Sequence, residues 1–329
     1  MNNIFILVLF NLSMVFGQFL WQEGGIAIRQ GDHVEWQRTG DSSLNGSMII
    51  AWSDTRNAIR DIYAQKITSN GDYLWGADGA LVVDFDGRQE DPLLVSDGVG
   101  GAYIIWRDYR DENYYGDIYA QHIDSDGNRL WDANGVPLST MSGEQSSHNL
   151  CIDGNGGAFA VWLDKNGSGT YIGSHLSPNG PGEAVEISST QNGGFSLEYA
   201  GNGEAVMVWK DALVADLRAQ RFNVSMEMLW NEGGDNSGRI ICDAPGIQSN
   251  AKVTTFGDNV IITWKDLRND PDGDVYAQIF TPNGESLLEN NGLAVCDDPA
   301  QQASPRVKTD GVNAFIYWED KRNEVNNNS

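Results

Sequence analysis

The sequence predicts an all-β protein, and more specifically a six-bladed β-propeller built from four-stranded blades. Three observations lead to this prediction. A unit of roughly 45–55 residues, the length of a propeller blade, recurs along the chain. Each complete unit holds four short segments of strand character and no segment with a helical period. A partial unit stands at each end of the chain, and the two can combine into one blade that closes a ring.

The clearest repeated feature is an apolar segment that ends in Trp-x-Asp. It occurs as MIIAWSD, AYIIWRD, AFAVWLD, AVMVWKD, VIITWKD and AFIYWED, and successive tryptophans are 54, 56, 47, 55 and 54 residues apart. Both alternating faces of the segment are apolar, as expected of a strand whose sheet is covered on both sides. The predicted structural residues of the repeat are Trp52, Asp54, Trp106, Asp108, Trp162, Asp164, Trp209, Asp211, Trp264, Asp266, Trp318 and Asp320.

The other strands of the unit lie on either side of this segment. A strand and a glycine turn precede it, as in PLLVSDGVGG, and a DIYAQ-like strand follows it. That strand reads DIYAQKI, DIYAQHI, DLRAQRF and DVYAQIF, with a weaker copy, TYIGSHL, in the third unit. A turn and a last strand complete the unit, as in SDGNRLWDANGVPLS. We expect DIYAQ to recur because the third strand meets the same surroundings in every blade.

The two ends of the chain set the predicted domain limits. Residues 1–17, MNNIFILVLFNLSMVFG, are uncharged and mostly apolar, which favours a secretory signal peptide over a retained anchor. Residues 18–323 form the predicted propeller, and residues 324–329 a disordered tail. The segment QFLWQEGGIAIRQG aligns with the last strand of a unit, whereas the chain ends after a first and a second strand. The predicted sixth blade is therefore incomplete, and the N-terminal strand and the C-terminal strands close it; a truncated longer protein is the alternative.

Charge and cysteine content exclude some classes of protein. The chain has 46 acidic and 21 basic residues and a net charge of −25, so nucleic acid is not an expected partner. No segment after the first seventeen residues is apolar enough to span a membrane. The three cysteines have no close pair, and we expect small buried side chains rather than a disulfide framework. We expect the mature protein to be an acidic monomer that is secreted or lies on the cell surface.

The consensus DGxGGAxIxWxDxR…DIYAQxIxxxGxxLW resembles repeats of secreted proteins from Gram-negative bacteria that use type IX secretion. The likeness covers residues 18 to about 323 and implies an extracellular propeller. Many such proteins end in a sorting domain, which this sequence lacks. The hairpin DSDGNRLW is faintly similar to the Asp-box of sialidase-like propellers, and this likeness supports the topology rather than an activity.

Two groups of side chains are candidate ligand sites. The connection RDYRDENYYGD carries Tyr109, Arg110, Tyr114 and Tyr115, and tyrosines beside arginine are typical of binding surfaces on which sugar rings stack. The alternative is that these tyrosines cover the backbone of their own loop. The loop DPDGD places Asp270, Asp272 and Asp274 at alternate positions, a spacing that suits Ca²⁺ but also an ordinary hairpin. The loop DSDGN is a weaker calcium candidate.

The Trp-x-Asp motif continues to Arg in four units, with Arg56, Arg110, Arg268 and Arg322. Such pairs could ring the channel mouth, but repetition in most blades favours a turn in which Arg braces Asp. The sequence has no phosphate loop, no Gly-x-Ser-x-Gly elbow and no histidine pair with metal spacing. We therefore expect a binding scaffold for glycans or a surface protein rather than an enzyme. Two alternatives stay open: a glycoside hydrolase-like enzyme that uses carboxylates at the channel mouth, and a structural module of a longer secreted protein.

Overall fold

The computed structural model describes residues 27–28, 35–110, 115–166, 169–188, 194–212, 214–231 and 237–322. This part of the chain consists of β-strands, one short 3-10 helix at Leu44–Gly46 and no α-helix, which confirms the all-β prediction. It contains no helix of the length and apolarity needed to cross a membrane. The predicted signal peptide, most of the predicted N-terminal strand and the predicted tail lie outside the described residues.

The strands form six antiparallel sheets, which we call blades 1 to 6 in chain order. Blades 1 to 5 each have four main strands, blade 3 has one additional short strand, and the described part of blade 6 has two strands. Blade 1 contains β1 (Glu35–Ser42), β2 (Met48–Asp54), β3 (Asp61–Ile67) and β4 (Ala80–Val83). Blade 2 contains β5 (Gln89–Ser96), β6 (Ala102–Asp108), β7 (Asp117–Ile123) and β8 (Val136–Ser139). Blade 3 contains β9 (Gln145–Ile152), β10 (Ala158–Asp164), β11 (Thr170–Ser177), β12 (Gly180–Pro181) and β13 (Val185–Ser188).

Blades 4 to 6 repeat the same order. Blade 4 contains β14 (Phe195–Gly201), β15 (Glu204–Lys210), β16 (Leu217–Asn223) and β17 (Arg239–Cys242). Blade 5 contains β18 (Gln248–Phe256), β19 (Asn259–Asp266), β20 (Asp274–Phe280) and β21 (Leu293–Cys296). Blade 6 contains β22 (Gln302–Thr309) and β23 (Ala314–Asp320).

The blades pack side by side in the manner of a propeller. The first strand of each blade contacts the first strand of the next, from β1 through β5, β9, β14 and β18 to β22. In a propeller the first strand of each blade lies nearest the axis, so we call these strands the innermost strands and the space that they face the axial channel. Four apolar cores lie between successive blades from blade 1 to blade 5. The sheets of blades 2 to 4 thus bury both faces against their neighbours, which explains why their second strands are apolar on both sides.

In the blades that keep all three residues, the Trp-x-Asp-x-Arg motif links the second strand to later parts of the blade, as blade 2 illustrates. Trp106 Nε1 donates to Asp108 Oδ2 over 2.8 Å, and Asp108 Oδ1 accepts the Arg110 backbone N–H over 3.0 Å. The Arg110 guanidinium bonds Asp108 Oδ2 and the Asn134 carbonyl, both over 2.7 Å, and its carbon lies 3.8 Å from the centre of the Tyr119 ring. Tyr119 is the tyrosine of DIYAQ, so the two repeated motifs form one structural unit.

The glutamine and a later glycine of the unit are also fixed by contacts. Gln121, the last residue of DIYAQ, accepts the Trp131 N–H over 3.0 Å and donates to the Asp132 carbonyl over 2.7 Å, which fixes the turn before the last strand. Gly135 in that turn has φ +76°, and a Cβ atom there would lie 2.5 Å from Trp106. A larger residue would therefore collide with the buried tryptophan.

Blade 6 differs from the others in burial. Phe315 and Tyr317 are 49% and 52% exposed, whereas their counterparts in blade 2, Tyr103 and Ile105, are fully buried. One face of this blade is therefore uncovered by the described part of the chain. Among the cysteines, Cys151 and Cys242 are buried and Cys296 is half-buried, and all three are free thiols.

Candidate functional site

The innermost strands share a β-bulge close to their first residue. The bulged residue is left-handed in five blades, and the register of pairing shifts at the same point. These residues are Gln37, Asp91, Ser147, Asn250 and Ser304, with φ between 46° and 55°. Bulges re-aim side chains and are frequent beside active sites. Because five blades share the bulge, its backbone belongs to the fold, and only the side chains can give the blades different functions. Asp91 is the one carboxylate among the five.

The peptide of Asp91 is held from both sides. Its N–H donates to Gln37 Oε1 over 2.9 Å, and its carbonyl accepts a hydrogen bond from His148 Nε2 over 2.6 Å. Burial lowers the pKa of His148, and the hydrogen bond to Asp91 partly offsets that effect. The imidazole is therefore neutral at neutral pH, with its proton on Nε2. The backbone of Asp91 is thus fixed, while its carboxylate is 39% exposed.

A chain of ion pairs connects blades 2 and 3 close to the bulge of β5. Arg107 NH1 lies 3.7 Å from Asp91 Oδ2, and Arg107 NH2 lies 3.5 Å from Glu144 Oε1. Lys165 Nζ contacts the same Glu144 oxygen at 3.0 Å. One guanidinium therefore contacts carboxylates from two blades. We call Asp91, Arg107, Glu144, His148 and Lys165 the mouth cluster.

The mouth cluster interrupts the sequence repeat. Arg107 is the middle residue of Trp-x-Asp, and the other blades have Ser53, Leu163, Lys210, Lys265 and Glu319 there. Glu144 stands before the first glutamine of its blade, where blades 2, 5 and 6 have Arg88, Ile247 and Gln301. A device of the fold is copied from blade to blade, whereas a ligand site needs particular residues in particular blades. Sequence reasoning missed these residues, and their departure from the repeat was the signal that could have found them.

The residues of the predicted tyrosine site do not form one exposed surface. Tyr109 is buried, and the guanidinium carbons of Arg88 and Arg107 lie 4.1 and 5.2 Å from the centre of its ring. Arg110 belongs to the Trp-Asp-Arg unit of blade 2 described above, and Tyr115 is exposed. Tyr114 lies outside the described residues. Tyr109 therefore has no free ring face for a sugar, and it supports Arg107 of the mouth cluster.

The predicted calcium loop is a closed turn. Asp270 Oδ1 accepts the Asp272 N–H over 2.8 Å, and Asp274 is buried at the start of β20. Burial, and then the charges of Asp270 and Asp297, raise the pKa of Asp274. Within the described ranges, neither this loop nor any other place gathers three His, Cys, Asp or Glu side chains that could hold a metal ion.

A second charged group lies on the innermost strands of blades 4 to 6. Lys308 Nζ of β22 is 3.8 Å from Glu198 Oε2 of β14, a contact that crosses from blade 6 to blade 4. Burial raises the pKa of Glu198, and Lys308 partly offsets the rise. Lys252 of β18 and Arg306 of β22 occupy matching positions in their strands, each paired with the residue before the blade tryptophan. Burial lowers the pKa of Lys252, and the charge of Arg306 lowers it further.

Comparison with known proteins supports the fold. No protein-family model and no functionally characterised sequence matches the chain. A polysaccharide lyase of a new family, an ulvan lyase, superposes with a TM-score of 0.51 at 9% identity, covering 89% of this chain and 83% of its own. An α-L-arabinanase from Penicillium chrysogenum gives 0.46 at 11% identity, covering 86% and 88%. A thermostable family-43 glycoside hydrolase gives 0.39 at 10% identity, covering 80% and 96%.

These comparisons correct the main functional prediction. We expected a non-catalytic binding scaffold, but the solved structures similar to this chain are mainly enzymes that cleave glycans. A search for repeated motifs passes over residues that occur in only one blade, and a catalytic site consists of such residues. At these identities the likeness establishes the fold, and the chemistry has to be argued from the mouth cluster.

Proposed function

We propose that this protein is a glycan-cleaving enzyme that acts at the mouth of its axial channel. One observation carries the proposal: Arg107 contacts both Asp91 and Glu144, which come from different blades. Because a single guanidinium reaches both, the carboxylates are less than about 10 Å apart, and glycoside hydrolases use pairs separated by roughly 5–9.5 Å. The pair is partly exposed, as a site for a sugar chain requires.

The two carboxylates differ in their surroundings, which suggests their roles. Glu144 has two cationic neighbours, at 3.0 and 3.5 Å, and acts as the carboxylate that activates water or attacks the sugar. Asp91 has one cation at 3.7 Å and a backbone fixed by Gln37 and His148, and it acts as the proton donor to the leaving oxygen. Arg107 positions both groups, and a fixed backbone keeps the donor aligned with the bond to be broken.

Release of reducing ends from a panel of neutral, uronic-acid and sulfated polysaccharides tests this proposal. The wild-type protein should cleave at least one of them. Glu144→Gln and Asp91→Asn should each lower that rate by about 10²–10⁴-fold, as expected when an acid or base is lost. Glu289→Gln, which changes an exposed acid in an outer turn, is the matched control and should keep the wild-type rate. Full activity in Glu144→Gln, or no cleavage of any glycan, would overturn the proposal.

A closed ring of six blades is part of the same proposal. The Tyr73 hydroxyl donates to the Ala27 carbonyl beside blade 1. Arg129, the blade 2 counterpart of Tyr73, lines a surface cleft together with Leu81 of the outer strand β4. Leu81 belongs to the outer strand of blade 1 and lies beside blade 2. Ala27 lies beside blade 1 in the same way, which supports the proposal that the N-terminal segment forms the outer strand of the preceding blade, blade 6. Deletion of residues 18–30 should lower the melting temperature, and an unchanged melting temperature would contradict closure.

We also propose that the protein is exported. The apolar residues 1–17 and the likeness to repeats of secreted proteins support this location. N-terminal sequencing of the protein recovered outside the cell should begin near Gln18, and retention of Met1 would contradict cleavage of a signal peptide.

A further inference from the structure

The innermost strands of blades 5 and 6 carry three basic residues, although the chain as a whole is strongly acidic. Only 21 of the 329 residues are basic and the net charge is −25, yet Lys252, Arg306 and Lys308 lie on two neighbouring innermost strands. We call these three residues the lumen cations. The same level of the strands on blades 1 to 3 carries no charge at the positions that match Lys252, which are Thr39, Leu93 and Asn149.

The lumen cations are incompletely neutralised. Lys308 contacts Glu198 at 3.8 Å, a long ion pair in which Lys308 is 69% exposed. Arg306 donates to the carbonyl of Pro305 over 3.1 Å, and the described residues show no carboxylate within ion-pair distance of Arg306 or Lys252. Lys252 and Arg306 repel each other, and an anion placed between them would remove that repulsion.

We infer that the lumen cations bind an anionic group of the glycan, so that the substrate is an acidic polysaccharide bearing carboxylate or sulfate groups. This inference rests on the proposed function, because it assigns a substrate class to the same channel. The mouth cluster would cleave the chain while the lumen cations hold a charged sugar deeper in the channel. Arg306 and the two lysines offer N–H donors, which form strong charge-assisted hydrogen bonds to carboxylate and sulfate oxygens.

Binding measurements on the Glu144→Gln variant test the inference without turnover. The probes are oligogalacturonate, which carries carboxylates, sulfated dextran, which carries sulfate esters, and neutral dextran. At least one acidic probe should bind more tightly than neutral dextran, and its affinity should fall as salt is added. The acidic probe that binds more tightly shows whether the site prefers a carboxylate or a sulfate group. Equal binding of neutral dextran would overturn the inference.

Substitutions in the lumen cations identify where the anion sits. Lys252→Gln and Arg306→Gln should each weaken binding of the preferred acidic probe by about tenfold, the effect of one charge-assisted hydrogen bond. Arg306→Lys keeps the charge and should retain most of the binding. If it does, the weaker binding of Arg306→Gln results from the lost charge and not from misfolding. Arg129→Gln removes a cation from an outer turn, where Arg129 bonds the Ala133 carbonyl, and should leave affinity unchanged.

Binding and cleavage measurements together distinguish a failure of this inference from a failure of the proposed function. Undiminished acidic-glycan binding by both glutamine variants would overturn the inference even if the wild-type enzyme cleaves glycans. Binding of acidic glycans that depends on Lys252 and Arg306, without cleavage by the wild-type protein, would overturn the proposed function and leave the binding site standing.

Discussion

Lys308 of blade 6 lies 3.8 Å from Glu198 of blade 4, so a single ion pair joins two blades that are not neighbours. Blade 5 stands between them in the chain order, and its innermost strand contacts the innermost strands of both. The two side chains reach past the innermost strand of blade 5 to meet, as expected when these strands curve around a common axis.

The ionisation of Glu198 should depend on Lys308. Burial raises the pKa of Glu198 and the lysine lowers it, so Lys308→Gln should raise that pKa further. Lys308→Arg retains the charge and should leave the titration near the wild-type curve. Carbon-detected NMR titration of the Glu198 carboxyl group measures both. An identical titration in wild type and Lys308→Gln would show that the two residues do not meet in solution.

The stability of blade 4 should depend on an arginine that takes the place of the Arg of the Trp-x-Asp-x-Arg motif. Its Trp-x-Asp segment lacks the following Arg, and Arg218 of the third strand instead donates from Nε to Asp211 Oδ2 over 3.0 Å. Asp211 is 2% exposed, so Arg218→Met should lower the free energy of unfolding by roughly 3 kcal/mol, because a buried carboxylate loses its guanidinium partner. Urea denaturation measures the change, with Arg129→Met as the control, because Arg129 is a half-buried turn residue that bonds a carbonyl rather than a buried carboxylate. Equal stability of the two variants would contradict this role for Arg218.

The acid that opens the third strand should make the protein less stable as pH rises. Burial raises the pKa of Asp61 to about 6, well above that of an unfolded aspartate. A carboxyl group with a raised pKa in the folded state contributes stability below its unfolded pKa, and this contribution is lost as pH rises through about 6. Asp61→Asn should therefore be more stable than wild type at pH above about 7, by at most about 3 kcal/mol, with a flatter pH dependence between roughly pH 4 and 7.

Thermal melts across this pH range provide the measurement for Asp61. Asp126→Asn changes an exposed turn acid and should reproduce the wild-type profile. The prediction fails if Asp61→Asn and wild type lose stability in parallel over the same pH range.

The repeat predicted most of the fold, because each repeated residue makes a repeated contact. The tryptophan, aspartate and arginine of one unit bond each other, and Gln121 with its counterparts holds the following turn. Such contacts are local to a blade and are copied with it. The register shift at the bulge of the innermost strand left no such motif, since Gln37, Asp91 and Ser147 share a backbone conformation but no chemistry. The two described strands of blade 6 match the first and second strands predicted at the end of the chain.

The candidate site was not predicted because it consists of exceptions to the repeat. Strand pairing within a blade brings Asp91 to Arg107 and Glu144 to Lys165. Only the packing of blade 2 on blade 3 brings Arg107 to Glu144. Tyr109 looked exposed in a loop rich in charge, but two arginines cover its ring. An alignment of the units within the chain would have marked Arg107 as the only arginine at its position, although it could not have supplied its partners.

A comparison of Asp91→Gly with Ser304→Gly in the reducing-end assay tests the proposed catalytic site most sharply. Both residues are left-handed, with φ 54° and 52°, so glycine suits either backbone and neither variant should lose stability. If Asp91 is catalytic, Asp91→Gly should melt like the wild type but lose turnover by about 10²-fold or more, whereas Ser304→Gly should keep the wild-type rate. Equal glycan cleavage by the two variants would contradict a catalytic site at Asp91.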